Sequence, residues 1–151
     1  MNNNNLQFLK RHESLELGDY MSNGYIDSSK IHRLYDYISE YLVVSFFSTS
    51  CAGCLPAIEG LGEYLKKHPD TNSLVLFDST DENIQLLKNH FNGNTLVYNV
   101  SKKIMQREFS VYGVPSIFLL NELGQVLFAE LGYSNGTYSD IENLMLRIRG
   151  K

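Results

Sequence analysis

Cys51 and Cys54 are the only two cysteines of the chain, and they stand directly after a run that reads as a buried strand. That run, Tyr41-Leu42-Val43-Val44-Ser45-Phe46-Phe47, is nearly continuous in β-branched and aromatic residues, as expected of a central strand covered on both faces. Only Ser48, Thr49 and Ser50 separate it from Cys51. From Cys54 the period changes. Cys54, Ile58, Leu61 and Leu65 recur at spacings of 4, 3 and 4, which is one face of a helix ending near His68-Pro69. Pro56 fits only the first turn of such a helix, and Gly60 and Gly62 weaken it. The cysteine pair thus falls where a strand hands over to a helix.

Spacing alone leaves three chemistries open for such a pair: thiol–disulfide exchange, metal binding, and buried structural thiols. A bridge between residues this close removes little entropy from the unfolded chain, so its structural value is small. Secreted domains stapled by disulfides are denser in cysteine. A zinc site needs a second ligand pair, yet His12, His32, His68 and His90 stand alone, with no H-x₃₋₅-H spacing.

The 151 residues, 43% hydrophobic and 20% charged, can build the core of one domain of ordinary size. A formal net charge of −4 with no basic cluster disfavours a nucleic-acid surface, which must replace phosphate counterions. No apolar stretch approaches the roughly 18–20 residues of a membrane span. The opening Met1-Asn2-Asn3-Asn4-Asn5 lacks a signal-peptide pattern. As written the chain is expected to be cytoplasmic; a longer natural precursor would make it extracytoplasmic or membrane-tethered.

Periodicity assigns the remaining elements. Residues 1–13 are Asn-rich and aperiodic and are expected to be loosely held, with the folded domain spanning 14–151. Ile31, Leu34, Tyr35 and Ile38 follow a helical pattern, with Asp27, Ser28 or Ser29 as N-cap. Leu74-Val75-Leu76-Phe77 reads as a second strand. Ser79-Thr80-Asp81-Glu82 is a capping box before a helix that carries Ile84, Leu87 and Phe91. A short strand over 95–100 and a helix over 101–109 follow. Ser116 to Leu120 and Gln125 to Leu131 form a hairpin around Asn121-Glu122-Leu123-Gly124. A second capping box, Ser139-Asp140-Ile141-Glu142, opens a last helix with Ile141, Leu144, Met145 and Ile148 on its face, stopping at Gly150. With no repeat and no linker, this order belongs to a single α/β layer structure.

The junction suits redox chemistry. A thiolate is the attacking species, and the unpaired N–H groups and dipole of a helix N-terminus favour an anion. The first cysteine of C-x-x-C faces those groups and solvent, and the second lies one turn inward. Cys51 is then the nucleophile and Cys54 the resolving thiol. Ala52-Gly53 between them is small and uncharged. Pro115 stands in Tyr112-Gly113-Val114-Pro115, immediately before a strand. A strand-edge proline is the ordinary reading. The C-x-x-C junction upstream and the hairpin after it favour instead a cis Val114–Pro115 bond that exposes the Val114 backbone to an extended partner peptide.

From about Leu15 to Ile148 the chain resembles thioredoxin-fold proteins, nearest to the TlpA- or ResA-like disulfide reductases. Three segments carry the resemblance: Val43-Val44-Ser45-Phe46-Phe47 running into Ser48-Thr49-Ser50-Cys51-Ala52-Gly53-Cys54; Leu15-Glu16-Leu17-Gly18-Asp19; and Tyr112 to Val126, with its proline about sixty residues after the cysteines. The resemblance implies a central mixed sheet flanked by helices on both faces, with an N-terminal extension. It implies that Cys51 and Cys54 cycle between dithiol and disulfide, and that Val114 and Pro115 line a substrate groove. Neither an organic cofactor nor a metal is implied. The partners are protein or peptide thiols and disulfides, with an upstream electron donor. Phe47 matches an aromatic position beneath the active site and reads equally well as a core aromatic.

Three positions depart from that pattern. Ser45 stands where thioredoxins carry a buried aspartate, Ala57 where some ResA-like reductases have a glutamate, and Ser50 where tryptophan is common. Glu59 is a substitute candidate as proton acceptor, against the commoner reading of a solvated surface charge. A peroxiredoxin needs P-x-x-x-T-x-x-C, but Ser48 and Val44 occupy the Thr and Pro positions, so that motif fails. The reading from sequence is a thiol–disulfide oxidoreductase. A cytoplasmic setting favours the reducing direction. The alternative is a non-enzymatic binding module or maturation accessory factor on the same fold.

Overall fold

The computed structural model describes residues 14–149, so the expectations for residues 1–13 and for Gly150 lie outside the described residues. Five strands form one mixed sheet in the order β3-β2-β1-β4-β5. β1 spans Tyr41–Ser48, β2 Ser73–Asp78, β3 Leu96–Asn99, β4 Ser116–Asn121 and β5 Val126–Leu131. The helices are α1 (Cys54–Lys67), α2 (Asp81–Phe91), α3 (Lys102–Phe109) and α4 (Thr137–Arg149). β1 runs parallel to β2 and antiparallel to β4, and every one of its residues is buried. Its near-continuous apolar run is therefore that of a strand with helices over both faces.

Alternation along β1 divides the core in two. Val43 and Phe47 join Val75, Ile117 and Leu119 under α1, α2 and α4. Leu42, Val44 and Phe46 join Leu74, Leu76 and Phe118 on the other face, closed by α3 and by the segment bearing Met21, Ile26 and Leu34. Phe46 is fully buried there, edge-on to Phe118 with ring centroids 5.8 Å apart. Such a pair contributes about 0.5–1.5 kcal/mol beyond its buried area. The upstream segment lies along the start of β5, where Gly18 N donates to the Val126 carbonyl at 2.9 Å and Val126 N to that of Asp19 at 2.8 Å.

Three local expectations are corrected. The helix expected over Ile31–Ile38 is only a 3₁₀ turn, Leu34–Tyr37, and Ile31 is 68% exposed. Asp27 caps no helix. Its Oδ1 accepts from the N–H groups of Ile31 (3.0 Å) and His32 (3.1 Å), its Oδ2 accepts from the Ser29 hydroxyl, and Lys30 sits at φ 56°. A side chain that takes the backbone donors itself holds a loop in place of a helix. The N-cap of α2 is Thr80, whose hydroxyl accepts from Asn83 N at 3.2 Å, so the cap lies one residue beyond the expected Ser79. α4 begins at Thr137, two residues before the expected capping box. The Thr137 hydroxyl donates to Glu130 and accepts from Ser134 N at 3.1 Å. Its buried stripe is Tyr138, Ile141 and Met145, while Ile148 is 45% exposed.

Gly60 is explained by packing. A Cβ there would run into the Tyr133 hydroxyl and come within 3.0 Å of the Tyr138 ring. Those rings seat α4 and its approach on α1, and the Tyr138 hydroxyl donates to the Ala57 carbonyl at 3.0 Å. Burial, then the nearby Tyr133 and Glu130, push the Tyr138 phenol far above its ordinary value, so it stays protonated. At Gly62 a Cβ would meet only the His90 ring, at 3.2 Å, on an exposed side chain.

Gly60→Ala should therefore destabilise the fold by about 1–3 kcal/mol through overpacking, while Gly62→Ala should be neutral or gain up to about 1 kcal/mol of helix propensity. Urea denaturation of both variants checks the contrast. Burial opposes ionisation of Asp27, but the His32 N–H, the Ser29 hydroxyl, the Ile31 N–H and the His32 charge together lower its carboxyl below the ordinary 3.8. A lowered folded value gives stability that is present above 3.8 and lost as pH falls through the folded value. Asp27→Asn should accordingly lower the Tm at pH 7, and the gap to the parent should narrow on acidification below 3.8.

Candidate active site at the strand–helix junction

β1 ends at Ser48, and the chain turns over Thr49 and Ser50 into the cysteines. The turn is held by main chain and short hydroxyls. Ser50 N donates to Ser48 Oγ at 3.2 Å, the Ser48 and Ser50 hydroxyls lie 3.0 Å apart, and Cys51 N donates to the Ser48 carbonyl at 3.3 Å. Cys51 and Cys54 form a disulfide with Cα atoms 5.4 Å apart. The pair differs in exposure: Cys51 is half-buried, whereas Cys54 is 2% exposed and packs with Ala57 in the cluster that holds Phe47. α1 starts at Cys54 with Gly53 as its N-cap, and no side chain caps it. The positive end of the helix is thus left to the cysteines.

The β1–β4 ladder pairs Phe46 with Ser116, which sets Pro115 beside Phe47 and next to the cysteine loop. The Val114–Pro115 bond is cis. Cys51 Sγ lies 3.3 Å from the Val114 carbonyl oxygen. A disulfide sulfur has no proton to donate, so this contact becomes a hydrogen bond only when the Cys51 thiol is regenerated. The Val114 N–H finds no partner among the described residues. Gly53 faces the same proline, since a Cβ there would meet Pro115 Cδ at 3.7 Å.

A groove of about 390 Å³ runs from Ser50 and Cys51 to Tyr112, Gly113 and Val114, and its far wall is α3, with Lys102, Met105 and Gln106. The sequence reading missed this wall. Ser101 caps α3 by accepting from Ile104 N at 3.2 Å, and Lys102 N donates to Asp78 Oδ2 at 3.3 Å, which pins the helix start to the end of β2. A helix over 101–109 was expected, and α3 spans Lys102–Phe109, but no motif says that the helix borders the cysteines.

The structure brings Cys51, Cys54, Val114, Pro115 and Phe47 together. It does not bring Glu59 to them. Glu59 is exposed on the side of α1 that faces His90 and Asn94, while Cys54 points into the core. Ser45 is fully buried and Ala57 offers no polar side chain, so neither departed position supplies a carboxylate. Among the described residues no group of three or more His, Cys, Asp or Glu is placed to hold a metal ion. No helix among them is long and apolar enough to cross a membrane.

A mixed five-stranded sheet with helices on both faces, a C-x-x-C pair opening α1 and a proline-led β4 beside it define a thioredoxin-like fold. Solved structures share it. A thiol:disulfide interchange protein DsbE from Chlorobium tepidum matches over 89% of this chain and 99% of its own, with a TM-score of 0.71 at 17% identity. The thioredoxin domain of a thiol-disulfide oxidoreductase from Bacteroides vulgatus matches over 87% and 99%, with a TM-score of 0.66 at 19% identity. A protein disulfide isomerase from Bacteroides thetaiotaomicron matches over 91% and 92%, with a TM-score of 0.73 at 10% identity. No family model and no curated protein matches the sequence.

After reduction, Cys51 should be alkylated by iodoacetamide about tenfold or more faster than Cys54, because it alone combines access with the helix N-terminus. Peptide mass mapping of a time course reads the order, and equal rates would contradict the exposures given above.

Proposed function

We propose that the protein is a thiol–disulfide oxidoreductase that reduces protein or peptide disulfides in the cytoplasm. The observation that carries this reading is the asymmetry of the pair. Cys51 is accessible at the rim of a groove and beside a free main-chain donor, and Cys54 is sealed one helical turn inward. An extended peptide can hydrogen-bond to the Val114 backbone and so present its own sulfur to Cys51, in the manner of strand addition.

The chemistry balances with two cysteines. In the dithiol form the Cys51 thiolate attacks one sulfur of a substrate disulfide, joining Cys51 to it and releasing the other sulfur as a thiolate, which takes up a proton. Cys54 then loses its proton and attacks Cys51 Sγ. The mixed disulfide breaks, the second substrate thiol leaves, and the Cys51–Cys54 disulfide is formed. Two electrons have passed to the substrate. An external dithiol, the upstream donor, must return two electrons to restore the pair. The low cysteine content and the absence of any second pair are in keeping with a compartment in which thiols are kept reduced.

Turnover of a disulfide-linked fluorogenic peptide with dithiothreitol as donor tests the reading. Cys51→Ser should abolish it, and Cys54→Ser should accumulate a mixed disulfide visible by intact mass. A couple poised near −270 mV would support the reducing direction, and one near −120 mV would reverse it. Function retained in a cell by Cys51→Ser would instead mark a binding module.

A further inference from the structure

The groove beside Cys51 is one-sided in charge. Among the described residues no carboxylate, histidine or arginine lines it, and Lys102 is its one side chain with a formal charge at neutral pH besides a Cys51 thiolate. That charge has no partner. The Lys102 side chain is exposed and makes no ion pair or hydrogen bond among the described residues. Its main-chain N–H is held by Asp78 Oδ2 at 3.3 Å, so the start of α3 is anchored beside the groove without the ammonium. Nor does the helix gain from the cation. Lys102 directly follows the Ser101 cap, at the end where the helix dipole favours acids, and a cation there opposes the dipole by about 0.3–1 kcal/mol. At physiological salt a charge is felt over about 8 Å. The net charge of −4, spread over the whole chain, therefore counts for less with a bound peptide than one cation in the groove wall. Met105 and Val111, at 1% and 4% exposure, make part of that lining apolar, and low-dielectric walls focus the field in a cleft.

We propose that Lys102 is a specificity-determining residue that selects disulfide substrates with an acidic side chain within a residue or two of the reacting cysteine. The proposal rests on the reading of the pair as a reductant of peptide disulfides. A peptide that pairs with the Val114 backbone and presents its sulfur to Cys51 runs through the groove along α3. An aspartate or glutamate there meets the Lys102 ammonium, and a lysine or arginine in its place meets repulsion. The exchange itself is the one given above. The Cys51 thiolate joins one peptide sulfur and frees the other as a thiolate, which takes up a proton. Cys54 then gives up its proton and displaces the second peptide sulfur as the Cys51–Cys54 bond forms. The charge acts on approach and binding, so its effect falls with salt.

Protein reduced with dithiothreitol and then freed of it can be mixed with three disulfide-linked pentapeptides that flank the cysteine with glutamate, glutamine or lysine. Rate constants for release of peptide thiol are divided by those of dithiothreitol with the same peptide, which removes differences in peptide reactivity. At low salt the glutamate peptide should react about tenfold faster than the lysine peptide, with glutamine between, and added salt should shrink the ratio. Lys102→Gln should slow the glutamate peptide and speed the lysine one until they agree within about twofold, and Lys102→Glu should invert the order. Lys67→Gln, at an exposed lysine in the last turn of α1, should keep the parental ratio. Equal rates in the parent, a preference that survives Lys102→Gln, or equal slowing of all three peptides by that variant would overturn the proposal and leave the oxidoreductase reading in place. A parent that reduces none of the peptides would overturn that reading, and this proposal with it.

Discussion

The antiparallel ladder between β1 and β4 is the constraint on which the site depends. Cys51 and Val114 are 63 residues apart in sequence, yet Cys51 Sγ and the Val114 carbonyl lie 3.3 Å apart. What closes that distance is register. Tyr41 opposite Asn121 at one end and Phe46 opposite Ser116 at the other leave Pro115 beside Phe47. A slip of one residue would turn Phe46 and Phe118 out of their core and Ile117 out of the other. The two apolar faces therefore fix the register, and the register fixes the groove. The geometry of the cysteine site is here a by-product of core packing.

The same strand sets the contrast between the two sulfurs. Because β1 is covered on both sides, the chain leaves it deep in the molecule and must climb to the surface through Ser48, Thr49 and Ser50. Cys51 is reached near the surface, and α1 then turns back, so that Cys54 returns to the core with Ala57, Ile58 and Leu61. Nothing beyond a strand end and one helical turn is needed to make one cysteine accessible and the other sealed. The loop uses short hydroxyls and main-chain bonds, and Gly53 leaves the helix N-terminus uncapped by any side chain.

Much of this was legible in the residues. The hydrophobic run of β1, the four–three–four spacing from Cys54 and the proline before Ser116 each reflect one local rule, and the elements they mark stand within a residue or two of expectation. The errors have local physical causes as well. Ile31, Leu34, Tyr35 and Ile38 carry a helical period, but the Asp27 carboxylate takes two backbone donors at once and Lys30 adopts a left-handed conformation, which together hold a loop. The start of α4 was misplaced because its first turn is fixed by a tertiary contact, Thr137 with Glu130, that no local motif encodes. The α3 wall of the groove was invisible for the same reason: it is set by the Asp78 carboxylate across from Lys102 N.

Gly60 was read as a weakness of the helix, and at the level of propensity that is correct. In the folded protein it is the reason α4 can sit on α1, since Tyr133 and Tyr138 occupy the space a side chain would need. Ser45 inverts the relation. Propensity and polarity make it an unremarkable interruption of an apolar strand, and packing makes it costly. A residue that local rules disfavour and packing requires points to architecture. Local rules and packing thus oppose each other at both positions: Gly60 weakens the helix yet admits the Tyr133 and Tyr138 rings, and Ser45 interrupts an apolar strand and leaves a buried hydroxyl without a partner among the described residues.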